Sequence, residues 1–291
     1  MIKFKLAEKE DVNKISSFIA KINSKVENHI GYCGTNKEEI ANSLVEDITD
    51  IPFNNSFIIG IEDGDIIGVL GFDTDFDSNS VEIWGPFLKE DKWDIATIMW
   101  DKMIEILPKK IGLLSMFINK RNKNCLRLAE DLNFIKESEE IILKFERSHI
   151  DNLNDIPIIE LSPDYYKDMQ LLHDKVFPNT YYSGNQIIER LDDHRKVFVD
   201  IKDNKLAGYI YLEVNPAFGE GSIEFFAVDE SQRGKGIGNK LLTMALKWLF
   251  TFDSINNIIL CVNSANEKAL NLYNTVGFEQ EYELCYFIKK L

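Results

Sequence analysis

Residues 229–238 read Asp-Glu-Ser-Gln-Arg-Gly-Lys-Gly-Ile-Gly, and this stretch decides the interpretation of the chain. It follows a predicted strand at residues 223–228 and precedes a predicted helix at about residues 239–250, which carries apolar residues on one face. Glycines between a strand and a helix let backbone N–H groups point into a concavity, where the helix dipole adds positive potential. Because Arg233 and Lys235 add formal charge, the stretch is typical of a pyrophosphate site.

Two other phosphate-binding motifs do not fit these residues. A P-loop ends in Gly-Lys-Ser/Thr, and a Rossmann fingerprint has a different glycine spacing and a later acidic residue. A turn that only starts a core helix remains the alternative when the stretch is considered alone.

A second motif follows at residues 263–278. A predicted buried strand, residues 258–262, precedes a predicted helix that ends at Gly277. The two motifs together resemble the GNAT superfamily of N-acetyltransferases. That family has Arg/Gln-x-x-Gly-x-Gly/Ala after its fourth strand, which here is Arg233, Gly236 and Gly238. It then has Asn-x-x-Ala-x-x-Leu-Tyr-x-x-x-Gly-Phe, which here is Asn266, Ala269, Leu272, Tyr273, Gly277 and Phe278.

The resemblance implies acetyl-CoA as the acyl donor and an amine as the acceptor. CoA would lie between two splayed strands, with backbone groups of Phe226, Ala227 and Val228 facing the pantetheine arm and thioester, and an N–H near Val228 stabilising the oxyanion. The residues implied to hold the pyrophosphate are Arg233, Gly234, Lys235, Gly236, Ile237, Gly238 and Asn239. Asn266 would bind the pantetheine arm, cap the following helix, or do both.

Two residues are candidates for the proton transfers. The resemblance places Tyr273 beside the departing thiolate, as a general acid or hydrogen-bond donor; the alternative is a tyrosine packed in the core. Glu224 is the candidate base for the protonated amine, because the strand period places it on the face of Phe226 and Val228. Its alternative is a structural hydrogen-bonding role. Some relatives carry a glutamate base where this chain has Cys261.

A diverged internal repeat organises the chain. Residues 57–68 match 197–208, residues 81–84 match 223–226, and residues 119–134 match 263–278, with offsets of 140, 142 and 144. We therefore expect a mixed α/β protein with two tandem GNAT-like domains, each a twisted mixed β-sheet flanked by helices. The expected domains are residues 1–147 and 156–291, joined by a polar linker at residues 148–155.

The first copy departs from the motifs. By the sequence offsets, Pro86, Asp91, Asp94 and Ala129 stand where Val228, Arg233, Gly236 and Tyr273 stand in the second copy, and only Asn122 keeps its counterpart, Asn266. Carboxylates repel a pyrophosphate and proline has no N–H. We expect the first domain to lack an acetyl-CoA site and to support the second domain or shape the acceptor cleft.

The composition of the chain limits which partners, metal sites and cellular locations are expected. The 291 residues carry a formal net charge of -15, which disfavours nucleic acid and favours a cationic partner. Four dispersed cysteines and four dispersed histidines predict neither a disulfide framework nor a metal site. Without an apolar run of about 20 residues or a leader-like N-terminus, we expect a cytoplasmic protein that does not insert into membranes.

The function that these patterns favour is acetyl-CoA-dependent N-acetyl transfer to an amine, with a small molecule as one candidate acceptor. A non-catalytic acyl-CoA-binding sensor and an acyltransferase for protein amines remain alternatives. The aromatic stretch at residues 177–184 would either line the acceptor site, as this region often does in the family, or form an ordinary surface loop.

Overall fold

The computed structural model describes residues 1–291, which form two compact units. Unit 1 consists of residues 1–140 and 282–291, and unit 2 of residues 141–281. No helix is long and apolar enough to cross a membrane.

Unit 1 is a mixed sheet with helices. Its elements are β1 (Lys3–Leu6), α1 (Val12–Asn23), α2 (Lys37–Asn42), α3 (Phe53–Ser56), β2 (Phe57–Glu62), β3 (Asp65–Asp75), β4 (Ser80–Leu88), α4 (Ala96–Ile106), β5 (Leu113–Asn119), α5 (Lys123–Asp131) and the start of β6 (Ile135–Glu146). Strands β1 to β4 pair antiparallel in sequence order, while β4 and β5 pair in parallel at Ser80–Glu82 and Leu113–Ser115 only. Helix α1 buries Ile15, Ile19 and Ile22 in the unit's core, the spacing of an amphipathic helix.

Unit 2 continues from β6 and contains the second copy of the repeat. Its elements are α6 (Tyr166–Val176), α7 (Gly184–Glu189), β7 (Arg195–Lys202), β8 (Lys205–Asn215), β9 (Glu220–Val228), α8 (Ile237–Leu249), β10 (Asn257–Asn263), α9 (Glu267–Val276) and the start of β11 (Glu279–Lys290). Strands β7, β8 and β9 form an antiparallel sheet, and β10 neighbours β6 in another. Strands β9 and β10 therefore share no ladder.

Both units contain a β-hairpin at the first match of the repeat, residues 57–68 and residues 197–208. Asp63 and Gly64 join β2 to β3, and Asp203 and Asn204 join β7 to β8. All four residues have positive φ, as a type I′ turn requires at its two central positions.

The unit boundaries differ from the predicted residues 147 and 156. Strand β11 leaves unit 2 and pairs along β5, from Leu284 opposite Asn119 to Lys290 opposite Leu113. The last strand of the chain therefore completes the sheet of unit 1, and β6, the expected last strand of the first copy, ends in unit 2. The first five residues of the predicted polar linker, residues 148–155, lie in a 3-10 helix, Arg147–Asn152.

Candidate active site

The turn between β9 and α8 has the conformation that its glycines indicate. Gly234 and Gly236 both have φ of 77°, in the left-handed region that disfavours residues with a Cβ. A Cβ at either position would meet nothing within 4 Å, so backbone conformation alone explains these two glycines. Gly236 is the N-cap of α8 and has no side-chain cap, which leaves N–H groups at the helix start for an anion.

Gly238 has a different physical role, since it lies inside α8. A Cβ there would approach Leu272 Cδ2 to 3.0 Å and Phe226 Cζ to 3.4 Å. The missing side chain therefore lets α8 pack closely against both α9 and β9.

The larger of two neighbouring cavities in unit 2 has a volume of about 580 Å³ and lies against this turn. Its lining includes eight residues of the predicted cofactor site, namely Phe226, Val228, Arg233, Gly234, Gly236, Ile237, Gly238 and Asn239. Such a volume is within the usual range for ligand sites. The turn and helix start thus meet a cavity of suitable size, which fits the pyrophosphate end of acetyl-CoA.

Three predicted cofactor residues, Ala227, Lys235 and Asn266, do not line this cavity. Ala227 is buried in the core cluster on the other face of β9. The Nζ of Lys235 contacts Ser231 O at 3.1 Å and Gln232 Oε1 at 2.9 Å, within the turn itself.

Six lining residues were not predicted to belong to the cofactor site. They are Gln232 in the turn and Lys268, Ala269, Asn271, Leu272 and Thr275 on α9. The five α9 residues are spaced one, two, one and three apart, which is one face of a helix. This periodicity is visible in the sequence and could have identified one face of α9 as part of the lining of the larger cavity.

The smaller cavity has a volume of about 300 Å³. It is lined by Phe177, Ile223, Glu224, Phe225, Phe226, Asn266, Ala269, Leu272 and Tyr273. Both catalytic candidates and Asn266 are thus brought together. Phe226, Ala269 and Leu272 line both cavities, so the two cavities share a wall.

Tyr273 lies on α9 and is half-buried. Its ring packs edge-on against Phe278, with centroids 5.4 Å apart. Burial raises the pKa of Tyr273 above its usual value of 10, so the hydroxyl group keeps its proton at neutral pH. The ring packs as the core interpretation predicts, and the protonated hydroxyl group is compatible with a donor role.

Asn266 is the N-cap of α9. Its side-chain oxygen accepts a hydrogen bond from the backbone N–H of Ala269 at 3.2 Å. The cap that the sequence allowed is therefore present, and the residue also lines the smaller cavity.

Glu224 is the extra residue of a β-bulge. Tyr211 pairs with Phe225 and the next residue, Leu212, pairs with Ile223, which leaves Glu224 without a partner in the ladder. The predicted alternation is therefore interrupted at Glu224 itself. Ile223 packs against the same core cluster as Phe226, although unbroken alternation would place these two side chains on opposite faces.

The aromatic stretch at residues 177–184 contacts Glu224. Tyr181 Oη donates a hydrogen bond to Glu224 Oε2 at 2.5 Å, and the Tyr181 ring lies 4.8 Å from the Phe225 ring. Phe177 lines the smaller cavity. This loop is therefore part of the site.

The sheet register allows a residue-by-residue comparison of the two units. Gly68 pairs with Leu88 in unit 1 as Gly208 pairs with Val228 in unit 2. The offset at the end of these strands is therefore 140, not the 142 of the sequence match. The register of each ladder shifts once in this region. On β9 the shift falls at Glu224, and on β4 it falls between Trp84 and Phe87.

The predicted counterparts in unit 1 are accordingly corrected by two residues. Leu88 stands where Val228 stands, and counting on at the same offset of 140 gives Trp93 and Ala96 for Arg233 and Gly236, instead of Pro86, Asp91 and Asp94. Unit 1 thus has an indole in place of a guanidinium group and alanine in place of a left-handed glycine. Glu224 has no counterpart at all.

In unit 1 the chain itself occupies the edge of β5 that β11 leaves free. Gly31 N donates to Phe117 O at 2.7 Å, and Asn119 N donates to His29 O at 3.1 Å. The Nδ2 group of Asn122, the counterpart of Asn266, also reaches His29 O, at 3.4 Å. Residues 29–31 therefore pair with β5 on the side where, according to the resemblance, CoA would lie between the two splayed strands.

Comparison with known families identifies the class of the C-terminal part. Residues 160–278 match the model of the Acetyltransferase (GNAT) family. This part of the chain therefore belongs to the GNAT acetyltransferase family, as the two motifs indicated.

Curated relatives match part of the chain. Spermidine N(1)-acetyltransferase of Escherichia coli strain K12 is 31% identical over 94 residues, which are 32% of this chain and 50% of that protein. The enzyme of the same name from Vibrio cholerae is 30% identical over 115 residues, 37% of this chain and 66% of that protein. Mycothiol acetyltransferase of Rhodococcus jostii is 30% identical over 87 residues, 28% of each chain. The chain spans about half the length of the first of these relatives.

Solved structures match the chain over its whole length. A GCN5-related N-acetyltransferase from Sphaerobacter thermophilus has a TM-score of 0.70 at 13% identity, covering 99% of this chain and 95% of its own. A tandem GNAT protein from the clavulanic acid biosynthesis pathway has a TM-score of 0.61 at 12% identity, covering 100% and 98%. At such identities the likeness concerns the fold, and it confirms the predicted mixed α/β class with tandem GNAT-like domains.

Proposed function

We propose that unit 2 transfers the acetyl group of acetyl-CoA to the nitrogen of an amine acceptor. The main support for this proposal is that the two cavities share part of their lining. One cavity ends at a helix start suited to a pyrophosphate, and the other contains a carboxylate and a tyrosine hydroxyl group. Donor and acceptor bound in these cavities would meet at Phe226, Ala269 and Leu272.

The donor supplies an activated thioester, and the chain supplies orientation and proton transfer. N–H groups of residues 234–239, with Arg233, bind the pyrophosphate, and backbone groups of residues 226–228 face the pantetheine arm. Asn266 contributes its amide while its oxygen caps α9. The Val228 N–H stabilises negative charge on the carbonyl oxygen, a contribution typically worth about 3 kcal/mol.

Glu224 and Tyr273 handle the protons of the reaction. Glu224 removes the proton of the ammonium group, directly or through water, so that the nitrogen lone pair can attack the thioester carbon. The C–S bond then breaks, the electron pair leaves on sulfur, and the second proton that the nitrogen must lose passes, directly or through water, to the thiolate. Tyr273 donates a hydrogen bond to the sulfur as negative charge develops on it, and the raised pKa of Tyr273 keeps the hydroxyl group protonated for this role.

Unit 1 has no acetyl-CoA site in this proposal. Trp93 and Ala96 replace the residues of the pyrophosphate cradle, and residues 29–31 cover the edge of β5. One acetyl-CoA molecule then binds per chain.

Three observations favour an amine acceptor. The chain is strongly acidic, Glu224 lies in the smaller cavity, and two relatives are named for spermidine, a polyamine. An acyltransferase for protein amines and a non-catalytic acyl-CoA sensor are the competing functions. Tyr273 argues against the sensor, since a protein that only binds has little use for a donor beside the sulfur.

The test is release of free thiol from acetyl-CoA by the full chain, measured over amino acids, arylalkylamines, polyamines and peptides. We expect turnover with at least one small amine, lost in Gly236→Asp. Turnover with peptides alone would favour the protein acyltransferase. Tight acetyl-CoA binding without thiol release from any amine would favour the sensor and contradict the proposal.

A further inference from the structure

The smaller cavity contains a single charged side chain. Six of its nine lining residues are apolar, two are the neutral polar residues Asn266 and Tyr273, and the ninth is Glu224. One ammonium group can be paired with a carboxylate here. A second cationic nitrogen in the same cavity would be desolvated without a partner, which is strongly unfavourable.

Glu213, whose charge also acts on Tyr181, is already paired. Glu213 Oε1 accepts hydrogen bonds from Tyr211 Oη at 2.6 Å and from Arg190 at 3.0 Å. The Arg190 guanidinium group also stacks over the Tyr182 ring at 4.1 Å. Glu213 is thus neutralised within the chain and does not extend the site toward a polycation.

Aromatic rings adjoin Glu224. The Phe177 and Phe225 ring centroids lie 5.2 Å apart, and the Tyr181 ring lies 4.8 Å from the Phe225 ring. Such rings favour an apolar or aromatic body next to a cationic group.

Tyr181 orients the carboxylate. Its hydroxyl group donates to Glu224 Oε2, which leaves Oε1 for an ammonium group. Burial, together with the neighbouring Glu224 charge, raises the pKa of Tyr181, so the hydroxyl group remains a donor. Tyr181 is itself 61% exposed, so an acceptor can reach the pair.

His173 fixes the loop that carries Tyr181. This fully buried side chain on α6 contacts Tyr182 O through Nε2 at 2.8 Å and Tyr209 Oη through Nδ1 at 2.5 Å. One neutral tautomer satisfies both contacts, with Nε2–H donating to the carbonyl and Nδ1 accepting from the hydroxyl group. The loop is thereby tied to β8, and His173 is a positioning residue for Tyr181.

We propose that this cavity takes a primary amine with one cationic nitrogen on an apolar body of about the size of a phenyl ring. The ammonium group binds Glu224 Oε1, and Tyr181 determines specificity by holding the carboxylate. This inference rests on the proposed function and names the substrate class of the same site.

The test compares 2-phenylethylamine with spermidine as acceptors at saturating acetyl-CoA, by thiol release. We expect kcat/KM for 2-phenylethylamine to exceed that for spermidine by about tenfold or more, because the second charges of spermidine find no partner. Tyr181→Phe should lower kcat/KM for 2-phenylethylamine roughly tenfold, mainly through KM. The KM for acetyl-CoA should stay unchanged.

Controls separate specificity from folding. Tyr165→Phe removes a hydroxyl group of unit 2 outside both cavities and should behave as wild type. His173→Leu should raise the amine KM as Tyr181→Phe does, and His173→Gln, which keeps a donor for Tyr182 O, should restore most of the loss.

Spermidine acetylated as well as 2-phenylethylamine, or an amine KM unaltered by Tyr181→Phe, would overturn the inference and leave the proposed function standing. If no amine tested causes the wild-type chain to release thiol from acetyl-CoA, both this inference and the proposed function are contradicted.

Discussion

Tyr181 and Glu224 are joined by a hydrogen bond of 2.5 Å across 43 residues of sequence. Glu224 is the extra residue of a bulge, so the regular alternation of side chains along β9 does not set the direction of its carboxylate. Tyr181, from the loop between α6 and α7, holds the carboxylate instead. The candidate base and the candidate acceptor loop thus form one assembly.

The first prediction concerns Glu224 as a base. Glu224→Gln should lower kcat 10²-fold or more near neutral pH, because general-base help is typically worth 10²–10⁴. The deficit should shrink as the pH approaches the pKa of the amine, since less of the acceptor then needs deprotonation. The measurement is a pH–rate profile for wild type and variant.

Glu220→Gln is the matched control, because Glu220 is an exposed residue at the start of the same strand. Acetyl-CoA affinity should be the same in all three proteins. A loss by Glu224→Gln that is equal at every pH would assign Glu224 to binding or structure instead.

The second prediction concerns Tyr273. Tyr273→Phe keeps the ring that packs on Phe278 but removes the hydroxyl group, so stability and acetyl-CoA affinity should change little. The rate of single-turnover transfer should fall 10²–10⁴-fold, about 3–5 kcal/mol of barrier. A rate within about threefold of wild type would leave Tyr273 as a packing residue, with another group or water as the donor.

Sequence reasoning reached the fold and most of the cofactor wall through local signals. The glycine turn near Arg233 and the helix within residues 266–278 are each determined by residues close together in sequence, so both could be predicted. The exchange of β6 and β11 between the units depends on which distant strand each one pairs with, and no local pattern encodes it.

The bulge at Glu224 was missed for a related reason. A single inserted residue leaves the apolar character of residues 223–228 recognisable. It nevertheless changes which residues of unit 1 correspond to the residues of β9. His173 had a weak signal: Met169, Leu172, His173 and Val176 follow helical spacing, which predicts a buried histidine but not its partners.

The third prediction concerns Glu82, which pairs with Asp73 across β3 and β4. Burial of its carboxyl group, followed by the charges of Asp73 and Asp75, raises the pKa of Glu82 to about 7 from 4.5, although the residue as a whole is exposed. The folded state therefore binds more protons than the unfolded state between these pH values. The stability from protonated Glu82 is lost as the pH rises through about 7.

Glu82→Gln mimics the protonated form. Between pH 5 and pH 8 its free energy of unfolding should fall less than that of wild type, as measured by urea unfolding at each pH. Glu90→Gln, an exposed residue of the same unit, is the control. An identical pH dependence in Glu82→Gln and wild type would contradict the raised pKa.

The central claim is one acetyl-CoA site per chain, at the turn before α8. Gly236→Asp adds a carboxylate where the pyrophosphate should bind, and Gly64→Asp controls for the strain, since Gly64 also has positive φ and open space for a Cβ. Titration calorimetry with acetyl-CoA should give a stoichiometry near one for wild type and Gly64→Asp, and no binding for Gly236→Asp. Two equivalent sites per chain, or binding by Gly236→Asp as tight as by wild type, would contradict the account.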